Sequence, residues 1–404
     1  MSQRVAVIGG GAAGFFAAIQ VKTNYPDADV QLFEKSNKVL SKVRISGGGR
    51  CNVTSGLTSI SDLSKSYPRG GKQLKKLLPV FSTKDTWKWF EQEGVELYTQ
   101  TDGRVFPKSD NSASIVNALM TRFQTLGCEL HIQRAVEKLE KEGEKLAVTI
   151  NSNRQFFDQV IVASGGSPKR MGFKWLEDLG HKIVDPVPSL FTFNLPGDPI
   201  RDLQGVSVAD ATVSIRSTKL EARGPLLITH WGMSGPAVLK LSAFGARILN
   251  EMAYQYEVKV NWTGNQNEQE VRQIIDEIRS SNPKKKVENV NPHSFPTRLW
   301  TYLLEKAEVD LSKNWAELSK KEINKLCQVL TNDSYSAKGK TTFKEEFVTC
   351  GGVSLESVNM KTMESKVVPG LYFAGEVLNI DGVTGGFNFQ AAWTTGYVAG
   401  RLGK

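Results

Sequence analysis

The sequence is poor in the residues that build disulfide frameworks and metal sites. Its four cysteines, Cys51, Cys128, Cys327 and Cys350, are widely scattered and form no C-x-x-C pair. That excludes a disulfide scaffold and a paired-cysteine zinc site, and it is the usage expected in a reducing compartment. Histidine is as scarce, with His131, His181, His230 and His293 standing in unrelated contexts, so no metal site is expected. No apolar run approaches the length of a bilayer span; Gly, Lys or polar residues interrupt each candidate. The first residues lead directly into an apolar strand, which leaves no room for a signal or transit peptide. Internal repeats and low-complexity tracts are absent too. A cytoplasmic protein with no membrane partner is expected, and nothing in the sequence specifies an oligomeric state.

Acidic residues are in mild deficit, 42 against 51 Lys and Arg, giving a net charge of +9. The densest basic stretch holds Lys65, Arg69, Lys72, Lys75 and Lys76 with no acid among them, and Lys284 to Lys286 form a second cluster. Exposed basic faces keep proteins soluble without any specific partner, so a solvated face is the reading preferred here. An anionic substrate or nicotinamide phosphate, and RNA, are the alternatives; a nucleic-acid partner is not expected. With 40% hydrophobic and 23% charged residues, the 404-residue chain can bury a sizeable core in two or three domains.

What is present begins at the N-terminus. Arg4 to Ile8 reads as a buried strand, and Gly9, Gly11 and Gly14 then fit G-x-G-x-x-G. The apolar run from Ala12 to Val21 predicts a helix that Pro26 stops, and Val30 to Glu34 predicts a second strand ending on an acid. In such a unit the first glycine permits the tight turn, the second lets a pyrophosphate approach, and the third lets helix and strand pack closely. The helix N-terminus offers free N–H groups to the phosphates, and Glu34 can accept hydrogen bonds from a ribose diol. Strand, glycines, helix, strand and acid in this register predict an adenine dinucleotide site.

Residues 1 to about 190 alternate strands and helices, which predicts a mostly parallel sheet. Gln155 to Gly166 repeats the opening logic, an apolar strand ending in small residues. Prolines punctuate Pro186 to Leu195, and period-two alternation then runs to about Thr263. From Gly264 to Asp333 the signal is helical, with Val271, Ile274, Ile275 and Ile278 on one face; Ser336 to Val348 reads as extended again. Leu371 to Ala374 predicts another strand, followed by glycine-rich turns and a helix from about Phe389 to Leu402. The α/β fold expected is a Rossmann-like domain (1–190 and 346–404) interrupted by a β-rich, barrel-like module (191–264 and 334–345). That module in turn carries a helical insertion (265–333).

Four segments carry a family resemblance: ISGGGRCNVT (45–54), VIVASGG (160–166), LLITHWGMSGPAVL (226–239) and GEVLNIDGVTGGFNFQ (375–390). The chain resembles FAD-dependent oxidoreductases of the glutathione-reductase-like superfamily and, more narrowly, the BaiN-like family of bacterial flavoproteins. The resemblance implies that Gly9, Gly11, Ala12, Ala13, Gly14, Glu34 and Lys35 hold the ADP half of FAD. It implies Ser46, Gly48, Gly49, Arg50 and Asn52 on the pyrophosphate and flavin side, Val136 near the adenine, and Ser164, Gly165 and Gly166 around the ADP. Gly375 and Glu376 would meet the pyrophosphate–ribitol portion, and Gly386, Phe387 and Asn388 the ring. Glu376 stands where Asp is commoner, and Ala163-Ser164 replaces Ala-Thr; both change only the position of an oxygen.

Each reactive side chain has a plain reading beside the chemical one. Cys51 has no second cysteine nearby with which to exchange a disulfide, so it reads as a structural thiol. His230 is a candidate proton donor, or a histidine that holds its turn. Arg50 is a candidate for binding an anionic substrate, or a clamp on the FAD phosphates. Trp231, Trp262, Trp300 and Trp315 fall in the inserted modules as core anchors or as cover for a hydrophobic substrate, and sequence does not choose.

No second G-x-G-x-x-G appears, so there is no separate nicotinamide domain of the disulfide-reductase kind. Hydride would enter from NAD(P)H stacked directly on the flavin, or from the substrate. The resemblance implies reduction of a conjugated C=C bond in a small organic substrate. The alternatives are an aminoacetone-type amine oxidase, an FAD-dependent RNA-modifying enzyme, and a flavin-binding regulatory protein without turnover.

Overall fold

A computed structural model describes residues 2–341 and 348–404. The chain forms two compact units, one of the residues up to Ser189 together with those from Val348 onward, the other of Leu190 to Thr341. The expected boundary at 345/346, and the end of the extended stretch up to Phe347, lie outside the described residues.

The first unit is built on a parallel sheet. Arg4–Ile8 is its central strand, with Val5, Ala6 and Val7 fully buried because both faces are covered. Asp29–Phe33 and then Glu129–His131 lie on one side of it, Gln159–Val162 and then Leu371–Phe373 on the other. Ile8 is level with Phe33 and with Val162, so three strands end together at the edge where Gly9, Glu34 and Ala163 follow. That edge is where open α/β sheets bind ligands. The helices Ala12–Asn24 and Phe387–Ala399 are apolar on nearly all sides and are accordingly interior. They pack on each other through small residues: a Cβ at Gly396 would lie 2.9 Å from the Ala13 carbonyl oxygen.

The apolar run at Gln155–Gly166 is two strands rather than one. Asn153–Phe157 closes an antiparallel meander with Val136–Glu142 and Lys145–Ile150, and only Gln159–Val162 joins the parallel sheet. Asp158 makes the break, its Oδ2 accepting from the Arg4 N–H at 2.7 Å.

In the second unit, strands Ser207–Ile215, Glu221–Thr229, Gly232–Ser234, Gln255–Asn261 and Thr192–Asn194 form one antiparallel sheet. Asp333–Lys338 pairs with Gln255–Asn261 at one end. After a left-handed Gly339 (φ +83°), Lys340–Thr341 pairs with Thr192 and Phe193 at the other, so one bent strand brings the sheet round on itself. The helices Glu268–Ser281, Thr297–Lys306 and Lys320–Asn332 do not form a core of their own. Val271, Ile275, Leu303, Leu326, Trp300 and Trp315 share one buried cluster with Val213, Val258, Val260 and Trp262 of the sheet. Capping boxes at Asn267/Glu270 and Ser319/Glu322 start two of them.

Candidate active site

The first unit's glycines fall into two kinds, closed and open. At Gly9 (φ +114°) a Cβ would sit 2.3 Å from the Ala163 carbonyl oxygen, and at Gly14 only 1.9 Å from that of Gly9. These two close the turn and seat the helix on the strand. A Cβ at Gly11 would meet nothing within 4 Å. The turn is therefore open in front of the first-turn amides of Ala12 and Ala13, the kind of helix N-terminus that suits a phosphate. Gly9 N–H donates to the Phe33 carbonyl at 2.8 Å, so the second strand is fixed beside the turn.

Glu34 follows that strand, and its carboxylate is pre-oriented. Oε2 accepts from Gly10 N–H and Oε1 from Ser36 N–H, each at 2.8 Å. Lone pairs remain for a ribose diol. Lys35 is exposed. Arg134 N–H donates to the Glu34 carbonyl at 2.8 Å, which brings the chain leading into half-buried Val136 alongside this acid.

The next segment forms a loop with few side chains. A helix starting at Ser41 unwinds at Ser46 (ψ 150°), and Gly47, Gly48 and Gly49 run left-handed at φ +59°, +69° and +85°. Gly48 and Gly49 are open in the sense that Gly11 is, as is Gly165 after the fourth strand. Gly166, by contrast, is closed, its Cβ position 2.7 Å from Thr349 Oγ1 and 2.8 Å from Glu376 Oε1. Ser164 is exposed beside it.

The last part of the chain packs against both loops. Gly375 would place a Cβ 2.7 Å from that of Ala13, so the returning strand ends against the first helix. Glu376 accepts from Thr349 N–H at 2.9 Å and pairs with Lys42 at 2.6 Å. At Gly386 (φ +85°) a Cβ would lie 2.3 Å from the Thr54 carbonyl oxygen, which pins the N-terminus of the last helix to the residues after the triple glycine.

Several side chains singled out from sequence turn out to be engaged by the protein itself. The Asn52 amide, oriented by its neighbours, accepts from Gly386 N–H (2.9 Å) and donates to the carbonyls of Thr54 (3.0 Å) and Val105 (3.2 Å). Asn388 clasps Gly382 by both backbone groups, at 2.8 and 3.0 Å. The Phe387 carbonyl accepts from the buried Tyr67 hydroxyl at 2.7 Å. Ser46 Oγ donates to the Val43 carbonyl at 3.2 Å. Arg50 lies 4.2 Å above the Phe106 ring, 3.7 Å from Asp110, with its Nε on the Gly47 carbonyl at 3.3 Å. It braces the glycine loop. Cys51 is fully buried, and burial pushes its thiol up to about 12, so it is no thiolate at neutral pH. His230 belongs to the second unit and is exposed at a hairpin tip.

Sequence reading missed a buried ion pair. Asp381, with no exposure, is bound by Arg69 through Nε (2.6 Å) and Nη2, and accepts from Ser189 Oγ at 2.9 Å. Burial pushes the carboxyl up and the guanidinium pulls against it. The available signal was an acid between Ile380 and Val383 in an apolar segment, since such an acid requires a cation. Gln390 was also missed: its Oε1 accepts from Thr54 (2.6 Å) and Thr86 (2.8 Å) under the last helix.

Open glycine faces, helix N-termini and an oriented acid are the features that suit one ribose, two phosphates and a ribitol, the parts of FAD outside its two ring systems. A model of the HI0933-like protein Rossmann domain matches residues 3–402. The chain belongs to the HI0933-like Rossmann family. It is 28% identical to a 3-dehydro-bile acid delta(4,6)-reductase of Clostridium scindens, over 98% of each chain. It is 27% identical to a ribosomal RNA dihydrouridine synthase of Haemophilus influenzae, over 97% of this chain and 96% of that one. Among solved structures, a 3-ketosteroid delta1-dehydrogenase from Sterolibacterium denitrificans shares the fold, with a TM-score of 0.52, 11% identity and 99% of each chain covered. This HI0933-like chain is an FAD-dependent oxidoreductase. No helix among the described residues is long and apolar enough to cross a membrane.

Proposed function

We propose that this oxidoreductase adds two hydrogens across a C=C bond conjugated to a carbonyl, with NAD(P)H as the electron source. The supporting observation is shared by two relatives that match nearly the whole chain. A delta(4,6)-reductase of a 3-oxo steroid and a synthase of dihydrouridine both, by name, saturate a double bond next to a carbonyl. In balance, NAD(P)H gives up a hydride and leaves as NAD(P)+, the substrate takes that hydride at one carbon, and a proton at the other completes the C–H bond. Bound FAD supplies the two-electron relay between donor and acceptor.

The chain's own residues do the holding. Ala12 and Ala13 N–H groups and Glu34 would take the ADP half, while the Gly47–Gly49 loop, braced by Arg50 and tied to Gly386 by Asn52, would take the ribitol side. A small cyclic enone is the first substrate class. Uridine in RNA is the second, favoured by the helix Gly71–Leu77, where Lys72, Lys75 and Lys76 are all exposed and unpaired with a carboxylate among the described residues. The test is anaerobic mixing of the yellow protein with NADH, NADPH and a panel of amines. NAD(P)H should bleach the flavin; bleaching by an amine alone would replace this reading with an amine oxidase.

A further inference from the structure

From Gly9 to Val21 the first unit's turn and helix carry no charged side chain, and Arg50 is held on its own loop by Phe106, Asp110 and Gly47. A helix N-terminus supplies only about half a positive charge, too little to balance a pyrophosphate. The ion pair of Lys42 and Glu376, at 2.6 Å, straddles this turn. On one side Leu40 N–H donates to the Gly10 carbonyl at 2.8 Å, and a Cβ at Gly10 would lie 2.8 Å from Val39, which roots the segment carrying Lys42. On the other side Gly375 abuts Ala13, which roots Glu376. Gly11, with its open face, lies between the two roots.

The two partners differ in how they are held. The Glu376 carboxylate is mostly buried and its Oε1 accepts from Thr349 N–H at 2.9 Å, whereas half of the Lys42 side chain is in solvent. A buried acid that loses its cation needs other donors. One stands beside it. Thr349 Oγ1 is buried with no hydrogen-bond partner among the described residues. It and Glu376 Oε1 crowd the same glycine, at 2.7 and 2.8 Å from the Cβ position of Gly166. An unpaired buried hydroxyl is costly, and donating to the released carboxylate removes that cost. The acid thus has two sets of donors, one with Lys42 and one without it.

We propose that the Lys42–Glu376 pair is an exchange latch on the cofactor site: the FAD pyrophosphate draws Lys42 off Glu376 and takes it as its counter-ion. No covalent bond changes; one ion pair replaces another. This rests on the pyrophosphate lying at Gly11, and is independent of which acceptor the flavin reduces.

The test uses the whole chain stripped of flavin, with the variants Lys42→Met, Glu376→Gln, the two combined, and Gly11→Ala. FAD is mixed with each in a stopped-flow instrument and followed by its fluorescence, at low and high salt, with circular dichroism as the check on folding. Loss of a hydrogen bond between charged groups predicts that Lys42→Met weakens FAD by about tenfold or more. The remaining affinity should depend less on salt, because one exposed charge no longer faces the phosphates. Glu376→Gln keeps an acceptor for Thr349 N–H but cannot hold Lys42 as an ion, so FAD should associate several-fold faster. That gain should vanish in the Lys42→Met background, where there is no cation to release. Parental FAD affinity in Lys42→Met, no acceleration by Glu376→Gln, or an acceleration that persists in the double variant each overturns the proposal. Parental affinity in Gly11→Ala overturns instead the placement of the pyrophosphate on which it rests.

Discussion

Gly11 and Gly14 are three residues apart on one turn, yet the structure assigns them opposite consequences. At Gly14 a Cβ falls 1.9 Å from the Gly9 carbonyl oxygen, more than an ångström inside ordinary contact, and the obstacle is backbone. Gly14→Ala must lift the helix Ala12–Asn24 off the central strand. Overpacking of this kind costs about 3 kcal/mol. For a unit of this size that is a fall of roughly 6–12 °C in melting temperature. Gly11 has ordinary extended backbone (φ −91°, ψ −172°) and nothing within 4 Å of its Cβ position. Gly11→Ala should leave the flavin-free protein melting at the parental temperature, while the methyl obstructs the pyrophosphate and lowers FAD affinity by at least ~10-fold, about 1.4 kcal/mol. The assay is thermal melting by circular dichroism on stripped protein, followed by titration with FAD through quenching of its fluorescence. Parental FAD affinity in Gly11→Ala, or parental stability in Gly14→Ala, would refute the division of the glycines into open and closed.

Other perturbations are as specific. Arg69→Met leaves the Asp381 carboxylate buried without its cation and should cost about 3–5 kcal/mol in urea unfolding, with much of it recovered in the Arg69→Met, Asp381→Leu double variant. His181 is buried, its Nε2 2.8 Å from Ser365 Oγ and its Nδ1 3.1 Å from the Leu176 carbonyl, and burial holds its pKa below 6.5. Unfolding releases it to take up a proton. Stability should therefore fall as pH drops below 6.5, by at most about 1.4 kcal/mol per pH unit from this group, and His181→Gln should reduce that slope. His293, also lowered by burial, adds to the same trend. All four cysteines are buried. Iodoacetamide at neutral pH should leave the mass of the native protein unchanged; rapid labelling of Cys51 would reopen a redox-thiol role.

The fold was largely legible because its signals are local. Val5–Ile8, the three glycines and Glu34 lie within one strand–helix–strand unit, where spacing translates directly into geometry. Asp158 was the local exception, its break in the apolar run set by a hydrogen bond to Arg4, 154 residues away. The site was less legible because its contacts are long-range. Arg69 and Asp381 are 312 residues apart, and Thr54 and Gln390 are 336 apart. Asn52 and Asn388 illustrate a different limit. An amide in a glycine-rich segment reads equally well as a ligand contact or as a backbone clasp, and the structure gives both of them backbone partners. The tryptophans were indistinguishable by pattern, since exposure alone separates Trp231 from the other three of its unit.

The central claim is transfer of two hydrogens to a C=C bond conjugated to a carbonyl. Its most direct test is a single anaerobic turnover. Holoenzyme reduced by NAD(P)H and freed of excess nucleotide is mixed with a cyclic enone or with uridine-bearing RNA, and the product is weighed by mass spectrometry. The account predicts that the yellow colour returns at a rate set by acceptor concentration, with the acceptor recovered carrying two more hydrogens. A flavin that stays reduced before every such acceptor, and is reoxidised only by oxygen, would contradict it.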